Sequence, residues 1–454
     1  MDIDAIIRRD FDARVEELKE WLRIPSISTL PEHAADVRQS ALWARDYLVV
    51  MGFPLAEVIE TNGLPLVYAA WCPHPNQPTL LMYGHCDVQP ADPLEQWRSP
   101  PFEPVVKDGK IYGRGANDNK GQSMAWMGGL KALLAAEGKL PLNIKVLMEC
   151  EEEAGGEAIA AYVAANPSRL ACDAVVVVDT AMLGKNTPSM VISLRGITYN
   201  EVTVTGARTD LHSGVYGGVA PNPLHALAVL IGRLKGEDVV INIPELAALV
   251  PPVTDDEQAL WAQGDATEAA ILKRDMGVEY LHGDPSQPLL ARRGVLPTLE
   301  VHGIKGGFVG EGAKTVIPAA ATAKISLRVP PGVNAQAVQD IFAKAVHSLV
   351  PKGYKVEVKG LHAGNGLNVP WDSPAMLKAR TAMAEVYGTQ PVPMREGASI
   401  PVCADFATHL KVPVLMVGFG LNEDDLHAPN ENYDLGQLER GMRTIARVVR
   451  GFAG

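Results

Sequence analysis

Imidazole and carboxylate side chains stand directly after runs of apolar residues at several places in this sequence. His85 and Asp87 are the first such pair, and they follow the apolar residues 80–83. Residues two apart on an extended backbone point to the same side, so one of these groups can bind a ligand while the other supports it. A capping aspartate beside a surface histidine is the simpler interpretation of this pair taken alone.

Further residues of the same two kinds lie in loops that are rich in glycine or acidic residues. The segment YGRGANDNKG, residues 112–121, places an aspartate among glycines, and MECEEEAGGE, residues 148–157, contains a run of glutamates. The residues of interest in these and similar loops are Asp118, Glu152, Glu153, Asp179 and His427. Each has an ordinary explanation on its own, such as a helix cap, a solvated helix N-terminus or an exposed loop histidine.

Taken together, these residues have the composition of a metal site. Two imidazoles and three carboxylates are supplied by His85, Asp118, Glu153, Asp179 and His427. Nitrogen and oxygen ligands of this kind suit borderline divalent cations, zinc above all. They suit two metal ions if one carboxylate bridges them. A glutamate left over beside a ligand would then serve as general base for a metal-bound water.

Hydrophobic periodicity predicts the elements that position these residues. Helical spacing of apolar positions predicts helices over residues 4–23, 38–51, 120–137 and 156–165. Fully apolar runs predict strands over residues 64–71, 79–85, 143–149 and 174–179. Such strands alternating with helices indicate an α/β fold with a mixed, largely parallel sheet flanked by helices. Ligands bind at the carboxyl ends of the strands in these sheets, where the candidate residues lie.

The pattern changes after Pro188. Residues 190–207 alternate apolar and polar side chains, which predicts a half-exposed antiparallel strand pair. Strands over 321–329 and 354–361 and helices over 223–234 and 335–350 follow from the same kind of argument. From about residue 393 the apolar pattern returns, with a buried strand over 412–420 and a closing helix over 434–452. The simplest organisation is an α/β domain, residues 1–189 and 397–454, interrupted by an α+β domain, residues 190–396.

Composition excludes several classes of protein. The chain has 454 residues, 47% of them hydrophobic, and a net charge of −12, which argues against nucleic acid or an anionic membrane as the main partner. Its five cysteines are scattered and lack CxxC spacing, so neither a disulfide framework nor a thiolate zinc site is indicated. The N-terminal segment is charged and amphipathic, unlike a signal peptide or a membrane-spanning helix. We therefore expect a cytoplasmic protein.

Nine segments in a fixed order make the chain resemble the di-zinc family of carnosinase-like dipeptidases, aminoacylases, carboxypeptidases and desuccinylases. They are YGHCDVQP, YGRGANDNKG, ECEEEAGG, VVDT, DLHSGVYGG, AKTVIP, ISLRV, REGASIP and LHAPNE. The chain is most similar to the carnosinase-like cytosolic dipeptidase branch. The resemblance implies a zinc-exopeptidase-like catalytic domain and an inserted domain that forms a homodimer and closes as a lid.

The resemblance also implies a role for each candidate residue. His85 and Asp179 would hold one metal ion, Glu153 and His427 the other, and Asp118 would bridge the two. Glu152 would be the general base for a metal-bridging water, and Asp87 would orient the ring of His85. The peptide bond between Asp118 and Asn119 would be cis. The metal ions would be Zn²⁺, with Mn²⁺ or Co²⁺ as alternatives.

Residues of the inserted domain would contact the substrate. His212 would donate a hydrogen bond to the oxyanion from across the dimer interface, and Arg328 would bind the substrate carboxylate. Glu396 would meet a free amino group, and Thr315 and His362 would make further contacts. The implied function is a metal-dependent dipeptidase acting on short peptides with a free carboxylate. The alternatives are an N-acyl amino acid deacylase or desuccinylase, a non-catalytic binding protein of the same fold, and thiol catalysis by Cys86 or Cys150.

Overall fold

A computed structural model describes residues 2–236, 240–397 and 400–453. The helices are α1 (Ile3–Leu22), α2 (Ala34–Met51), α3 (Lys120–Glu137), α4 (Glu157–Ala165), α5 (Pro167–Leu170), α6 (Ser213–Tyr216), α7 (Pro223–Leu234), α8 (Pro244–Ala247), α9 (Asp255–Met276), α10 (Leu289–Gly294), α11 (Ala335–Leu349), α12 (Pro374–Tyr387), α13 (Pro401–Asp405) and α14 (Leu435–Ala453). None of the helices in the described part of the chain has the length and apolarity needed to cross a bilayer.

The strands are β1 (Leu55–Ile59), β2 (Leu66–Trp71), β3 (Thr79–His85), β4 (Val105–Lys107), β5 (Lys110–Tyr112), β6 (Asn143–Glu149), β7 (Ala174–Val177), β8 (Ala181–Met182), β9 (Ser189–Leu194), β10 (Gly196–Thr205), β11 (Leu211–His212), β12 (Thr298–Gly306), β13 (Val316–Ile317), β14 (Ala320–Val329), β15 (Lys355–Gly364), β16 (Leu367–Asn368), β17 (Val392–Glu396), β18 (Val414–Met416), β19 (Gly420–Leu421) and β20 (Asn432–Asp434). Short 3₁₀ turns lie at Pro31–His33, Leu94–Gln96 and Glu152–Ala154, and a π-helical turn lies at Phe406–Leu410.

The chain divides into two compact units. The first contains the chain up to Ile192, then Val369–Met394, and the chain from Ile400 onward. The second contains Ser193–Asn368 and a short segment that begins at Arg395. The sequence division at 189/190 and 396/397 differs from these units mainly at Val369–Met394, which lies in the first unit because α12 packs against α14. The catalytic and lid roles of the two regions stay predictions.

The first unit is built on a mixed sheet whose centre is parallel. The order of this sheet is β1-β2-β6-β3-β7-β18-β9-β16, with β17 also paired to β9, and β6, β3, β7 and β18 run parallel to one another. The flanking strands β2 and β9 pair antiparallel with this centre. β3 and β7 are buried almost throughout, which is why their sequences are continuous apolar runs.

Helices cover this sheet. α3 packs against α1 and α14, and α2 packs against β1 and β2. Gly129 allows α3 and α14 to approach closely, since a Cβ atom there would lie only 2.7 Å from the backbone oxygen of Met442. The helices predicted over 4–23, 38–51, 120–137, 156–165 and 434–452 are all present within a few residues of their predicted bounds.

The second unit is an antiparallel sheet with helices on one face. Its strand order is β12-β14-β10-β15, and α7 and α11 pack on it. The core between them includes Val202, Leu227, Leu327 and Phe342, all fully buried. β10 alternates buried and half-buried residues along its whole length, as expected for a strand with one face on the core.

The strand pair predicted over residues 190–207 is wrong. The structure has two strands there, β9 and β10, but they do not pair with each other. β9 pairs with β18 and is buried on both faces, whereas β10 pairs with β14 and β15. Arg195 lies between them, where the chain changes from one sheet to the other.

Candidate metal-binding site

The carboxyl ends of the central parallel strands meet at one edge of the first sheet. His85 ends β3 and is in register with Glu149, which ends β6. β7 ends at Val177, two residues before Asp179. The loops after these strands therefore bring side chains from distant parts of the chain to the same place.

Asp118 lies at the centre of this arrangement, in the loop between β5 and α3. One oxygen of its carboxylate, Oδ1, is 2.9 Å from Nε2 of His85. The other, Oδ2, is 2.9 Å from Nε2 of His427. Each oxygen of one carboxylate thus faces a different imidazole, which is the geometry required of a bridging ligand.

Three groups of side chains have ligand atoms close enough to hold a cation. The groups are His85–Asp118–Asp179, Asp118–Glu153–His427 and His85–Glu152–Glu153. Within each group the ligand atoms lie within 4.8 Å of one another. The first two groups share Asp118 and together contain the five residues that the sequence singled out as ligands.

Asp87 supports this cluster. Nδ1 of His85 is 3.1 Å from the backbone oxygen of Asp87 and 3.3 Å from its carboxylate Oδ1. The other carboxylate oxygen, Oδ2, accepts a hydrogen bond of 3.1 Å from the backbone N–H of Glu153. Asp87 therefore contacts the ring of one candidate ligand and the backbone of another.

Asn119 links the cluster to the start of α3. Its side-chain Nδ2 donates to Asp179 Oδ1 at 2.6 Å, and its Oδ1 accepts from Ser123 at 2.7 Å. The peptide bond between Asp118 and Asn119 is cis. Gly84 leaves room for the hydrogen bond between Asn119 and Ser123, because a Cβ atom at position 84 would lie 2.3 Å from Ser123 Oγ.

The charges in the cluster depend on one another. His427 is hydrogen-bonded to Asp118 and lies near Glu153, and these two carboxylates raise the pKa of His427 to about 10. Burial lowers the pKa of His85, but Asp179 and Asp118 outweigh it and raise that pKa well above its ordinary value. Burial raises the pKa of Asp179 well above the usual carboxyl range, and the charge of His85 opposes this. The carboxylates are thus ionised only to the extent that positive charge lies beside them.

Glu152 lies beside the ligand groups in a short 3₁₀ turn after β6. Burial raises the pKa of its carboxyl group to about 7, and the charge of His85 opposes this shift. A carboxyl group with a pKa near neutrality can both accept and release a proton under working conditions.

Glu431, which is not among the residues predicted from the sequence, holds the Asp118 loop in place. Its Oε1 accepts from the backbone N–H groups of Asn117 and Asp118 at 3.0 and 3.1 Å. Its Oε2 accepts from Gly115 N at 2.9 Å and from Arg114 Nη1 at 2.7 Å. The signal available in the sequence was its position at the end of LHAPNE, four residues after His427.

The loop that carries His427 has an unusual backbone. His427 has a φ angle of 59°, in the left-handed region that costs non-glycine residues about 1–2 kcal/mol. Asp424, buried three residues earlier, accepts hydrogen bonds from Leu421 N at 2.8 Å and from Asn117 Nδ2 at 2.6 Å. The loop is therefore fixed to the neighbouring loop at two points, Asp424 and Glu431.

The cysteines have the environment of structural residues. Cys86 and Cys150 are fully buried and unpaired by disulfide bonds. Burial raises the pKa of the Cys150 thiol well above its ordinary value, which disfavours the thiolate that nucleophilic catalysis requires.

The remaining predicted residues lie in the second unit. His212 and Thr315 are brought together there, since β11 pairs with β13 and Ser213 N donates to the Thr315 carbonyl at 3.1 Å. Nδ1 of His212 accepts a hydrogen bond of 3.0 Å from the backbone of Gly214. In a neutral imidazole the proton then lies on Nε2, which is free of this contact.

Arg328 and His362 lie on one face of the four-stranded sheet. Ile197 of β10 is opposite Arg328 and Tyr199 is opposite His362, and residues 197 and 199 share a face. Glu396 ends β17, and burial raises the pKa of its carboxyl group while Arg293 opposes this. Arg195, which is not among the residues predicted from the sequence, donates to the carbonyl of Gly397 at 3.3 Å and so holds the chain beside Glu396.

Comparison with known proteins identifies the class to which this fold and cluster belong. The model of peptidase family M20/M25/M40 matches residues 81–451, and the chain belongs to this family. The family resemblance stated from the motifs is therefore confirmed, and so is the α/β fold class.

Individual relatives are similar over nearly the whole chain. The Cys-Gly metallodipeptidase dug1 of Schizosaccharomyces pombe is 31% identical, over 99% of this chain and 97% of the relative. The human Beta-Ala-His dipeptidase is 30% identical, over 96% of this chain and 89% of the relative. The crystal structure of the M20 family metallo-carboxypeptidase Sso-CP2 from Sulfolobus solfataricus superposes with a TM-score of 0.83 at 27% identity, over 97% of this chain and 99% of that one.

Proposed function

We propose that this protein is a metal-dependent dipeptidase that hydrolyses the amide bond of short peptides with a free carboxylate. The observation that carries the proposal is the pair of ligand groups sharing Asp118, with Glu152 beside them. Full-length relatives at about 30% identity, a Cys-Gly metallodipeptidase and a Beta-Ala-His dipeptidase, support the same activity.

The cluster fits two divalent cations. His85 and Asp179 would hold one, Glu153 and His427 the other, and Asp118 would bridge them. One buried oxygen of a candidate ligand, Glu153 Oε1, has no hydrogen-bond partner in the described structure, as expected of an oxygen that faces a cation. We propose Zn²⁺ as the metal, with Mn²⁺ and Co²⁺ as alternatives. When bound, such a pair lowers the pKa of water and polarises an amide carbonyl.

The chain's own residues then carry the proton transfers. Glu152 would take a proton from the attacking water and deliver it to the leaving amine nitrogen. Burial raises its pKa to about 7 in the metal-free protein, and bound cations would favour the ionised form that accepts the proton. Asp87 would keep His85 in the orientation that presents Nε2 to the cluster.

His212 would stabilise the oxyanion. The hydrogen bond that its Nδ1 accepts from Gly214 favours the tautomer with a proton on Nε2, which is the donor this role needs. We propose that it acts across the interface of a homodimer formed by the inserted domain, and that this domain closes over the substrate as a lid.

The two ends of the substrate would meet opposite charges. Arg328 would bind the carboxylate, and Glu396 the free amino group, with Thr315 and His362 as further contacts. Glu396 favours a dipeptidase over a desuccinylase, because a buried carboxylate attracts an ammonium group and repels a succinyl carboxylate. The cytoplasm is the compartment we propose, since all five cysteines are free thiols.

The proposal is tested by metal analysis combined with a substrate screen. The purified protein is assayed on dipeptides, tripeptides and N-acyl amino acids before and after chelation, and again after Zn²⁺, Mn²⁺ or Co²⁺ is restored. We expect two metal ions per chain, dipeptide hydrolysis that chelation abolishes, and recovery when metal returns.

Other results would indicate a different function. Preference for N-acyl amino acids over dipeptides would identify a deacylase or desuccinylase. Hydrolysis that resists chelation, or none with metal present, would contradict the proposed mechanism and favour thiol catalysis or a binding protein. Replacing Cys86 and Cys150 together by serine tests thiol catalysis. The metal-dependent mechanism predicts that this variant keeps most of its activity, whereas thiol catalysis predicts that it loses activity.

A further inference from the structure

The outer face of the second sheet, opposite the face packed on α7 and α11, carries side chains in two neighbouring rows. One row contains Ile197 and Arg328, which are directly opposite each other on β10 and β14. The next row contains Tyr199, with Ser326 opposite on β14 and His362 opposite on β15. Successive rows on one face are about 7 Å apart, the rise of two residues in an antiparallel strand.

His302 joins the second row through a bulge in β12. The register between β12 and β14 shifts between Val301 and Gly303, so that His302 is the additional residue. Bulges of this kind re-aim a side chain and are common beside active sites. The ring of His302 stacks on Tyr199 with centroids 5.2 Å apart and planes 12° apart.

Ser326 fixes this stack. Its Oγ lies 2.7 Å from Nε2 of His302, and Ser326 itself is buried. The result is a platform of two stacked rings, a phenol and an imidazole that lie nearly parallel, with the Ser326 hydroxyl group held against the imidazole. Tyr199 is half-buried and His302 is exposed, so the platform is accessible from the outer face.

The distance between the rows matches the size of one amino acid. Suppose that Arg328 binds the carboxylate of the substrate's carboxyl-terminal residue. The side chain of that substrate residue is attached to the Cα atom that also carries the carboxylate. Such a side chain reaches about 5–7 Å, which is the spacing of adjacent rows on the strand. The platform is therefore where the side chain of the carboxyl-terminal residue would rest.

We propose that Tyr199, His302 and Ser326 form the subsite for the side chain of the substrate's carboxyl-terminal residue, and that this subsite selects planar side chains, aromatic or imidazole, over glycine. The proposal rests on the function proposed above, in which Arg328 binds the carboxylate. Stacking on flat rings rewards planar side chains, whereas glycine gains nothing from the platform.

The test compares Ala-Phe, Ala-His and Ala-Gly as substrates of the metal-loaded protein. We expect kcat/KM for Ala-Phe and Ala-His to exceed that for Ala-Gly by about tenfold or more. Tyr199→Leu and His302→Ala should each lower kcat/KM for the planar substrates by about tenfold and change Ala-Gly by less than about twofold. Tyr199→Phe, which keeps the ring, should retain the preference.

Two further variants make the comparison specific. Glu201→Gln alters the same face one row beyond Tyr199, opposite Lys324, and should leave the substrate ratio unchanged. Arg328→Gln should lower kcat/KM for all three dipeptides alike, because each has a carboxylate.

Each outcome decides a different question. If the wild-type protein hydrolyses no dipeptide, the proposed function fails and the subsite fails with it. If dipeptides are hydrolysed without preference for planar side chains, or if Tyr199→Leu and His302→Ala lower Ala-Gly as much as Ala-Phe, the subsite is wrong while the proposed function stands. His302 is exposed, so His302→Ala keeps the test decisive if the Tyr199→Leu variant does not fold.

Discussion

At the scale of single residues, Asp118 determines how the cluster is charged. An ionised carboxylate only accepts hydrogen bonds, so the imidazole nitrogens 2.9 Å from its two oxygens must carry protons when no cation is present. These nitrogens belong to His85 and His427, and their protons stand where metal ions would bind. Protons and cations therefore compete for the same positions.

Metal binding should accordingly release protons. The pKa of His427 is raised to about 10 and that of His85 lies well above its ordinary value, so both imidazoles are protonated at pH 7.5 in the metal-free protein. Adding Zn²⁺ should release about two protons per chain from the imidazoles, and more to the extent that the raised pKa of Asp179 keeps its carboxyl group protonated. Titration calorimetry in buffers of different ionisation enthalpy measures this number. Because protonated imidazole competes with metal, metal affinity should fall as the pH is lowered, and a pH-independent affinity would contradict the assignment.

Glu152 gives the sharpest prediction at this scale. Glu152→Gln should lower kcat by about 10²–10⁴-fold, because the amide cannot accept the proton of the attacking water. Its metal content should stay at the wild-type value, as measured by elemental analysis. Glu157→Gln, an exposed change in the same segment, is the matched control and should leave kcat unchanged. Turnover of Glu152→Gln within tenfold of wild type would exclude it as the base.

At the scale of elements, the cluster depends on two loops that are held together by buried carboxylates. The loop between β5 and α3 carries Asp118, and the loop between β19 and β20 carries His427. Glu431 of the second loop accepts hydrogen bonds from three backbone N–H groups of the first and from Arg114. The positions of the two candidate ligands are thereby coupled.

Glu431→Gln should therefore weaken metal binding. The amide group can replace only one of the two acceptor oxygens and would place N–H donors against Arg114 and Gly115. We expect the apparent metal dissociation constant to rise about 10–100-fold in chelator competition, with an altered Co²⁺ absorption spectrum. Glu423→Gln, exposed in the same loop, is the control and should bind metal normally. A lower melting temperature with unchanged metal affinity would show that Glu431 has only a structural role.

Prediction from sequence succeeded where the determining interactions are local. The central strands are buried on both faces, so their apolar runs identify them without knowledge of their partners, and the residues after them could be proposed as one cluster. The pairing of β9 and β10 with different sheets could not be predicted, because their partners β18 and β14 lie far along the chain. Glu431 was missed because most of its partners are backbone N–H groups, which leave no mark in the sequence.

At the scale of the whole molecule, the candidate residues are divided between the two units. The first unit contains the five candidate ligands together with Asp87 and Glu152. The second unit contains the residues proposed to contact the substrate, which are His212, Thr315, Arg328, His362 and Glu396. The proposed function needs both sets, so we propose that assembly of the homodimer and closure of the inserted domain are parts of catalysis.

Mixed dimers test this proposal. His212→Ala and Glu152→Gln should each abolish most activity as homodimers. If His212 acts across the interface, a dimer of one His212→Ala chain and one Glu152→Gln chain contains one complete site and should regain up to about half of the wild-type activity. Purification with two different affinity tags isolates this species. Verified mixed dimers without recovery would show that His212 does not act on the partner's site.

The central claim is that loops after separate strands form one site for two cations that share Asp118. Anomalous diffraction at the zinc absorption edge, from crystals grown with Zn²⁺, tests it most directly. The account predicts two peaks on either side of the Asp118 carboxylate, one beside His85 and Asp179 and the other beside Glu153 and His427. Zinc peaks elsewhere, or none between these side chains, would contradict it.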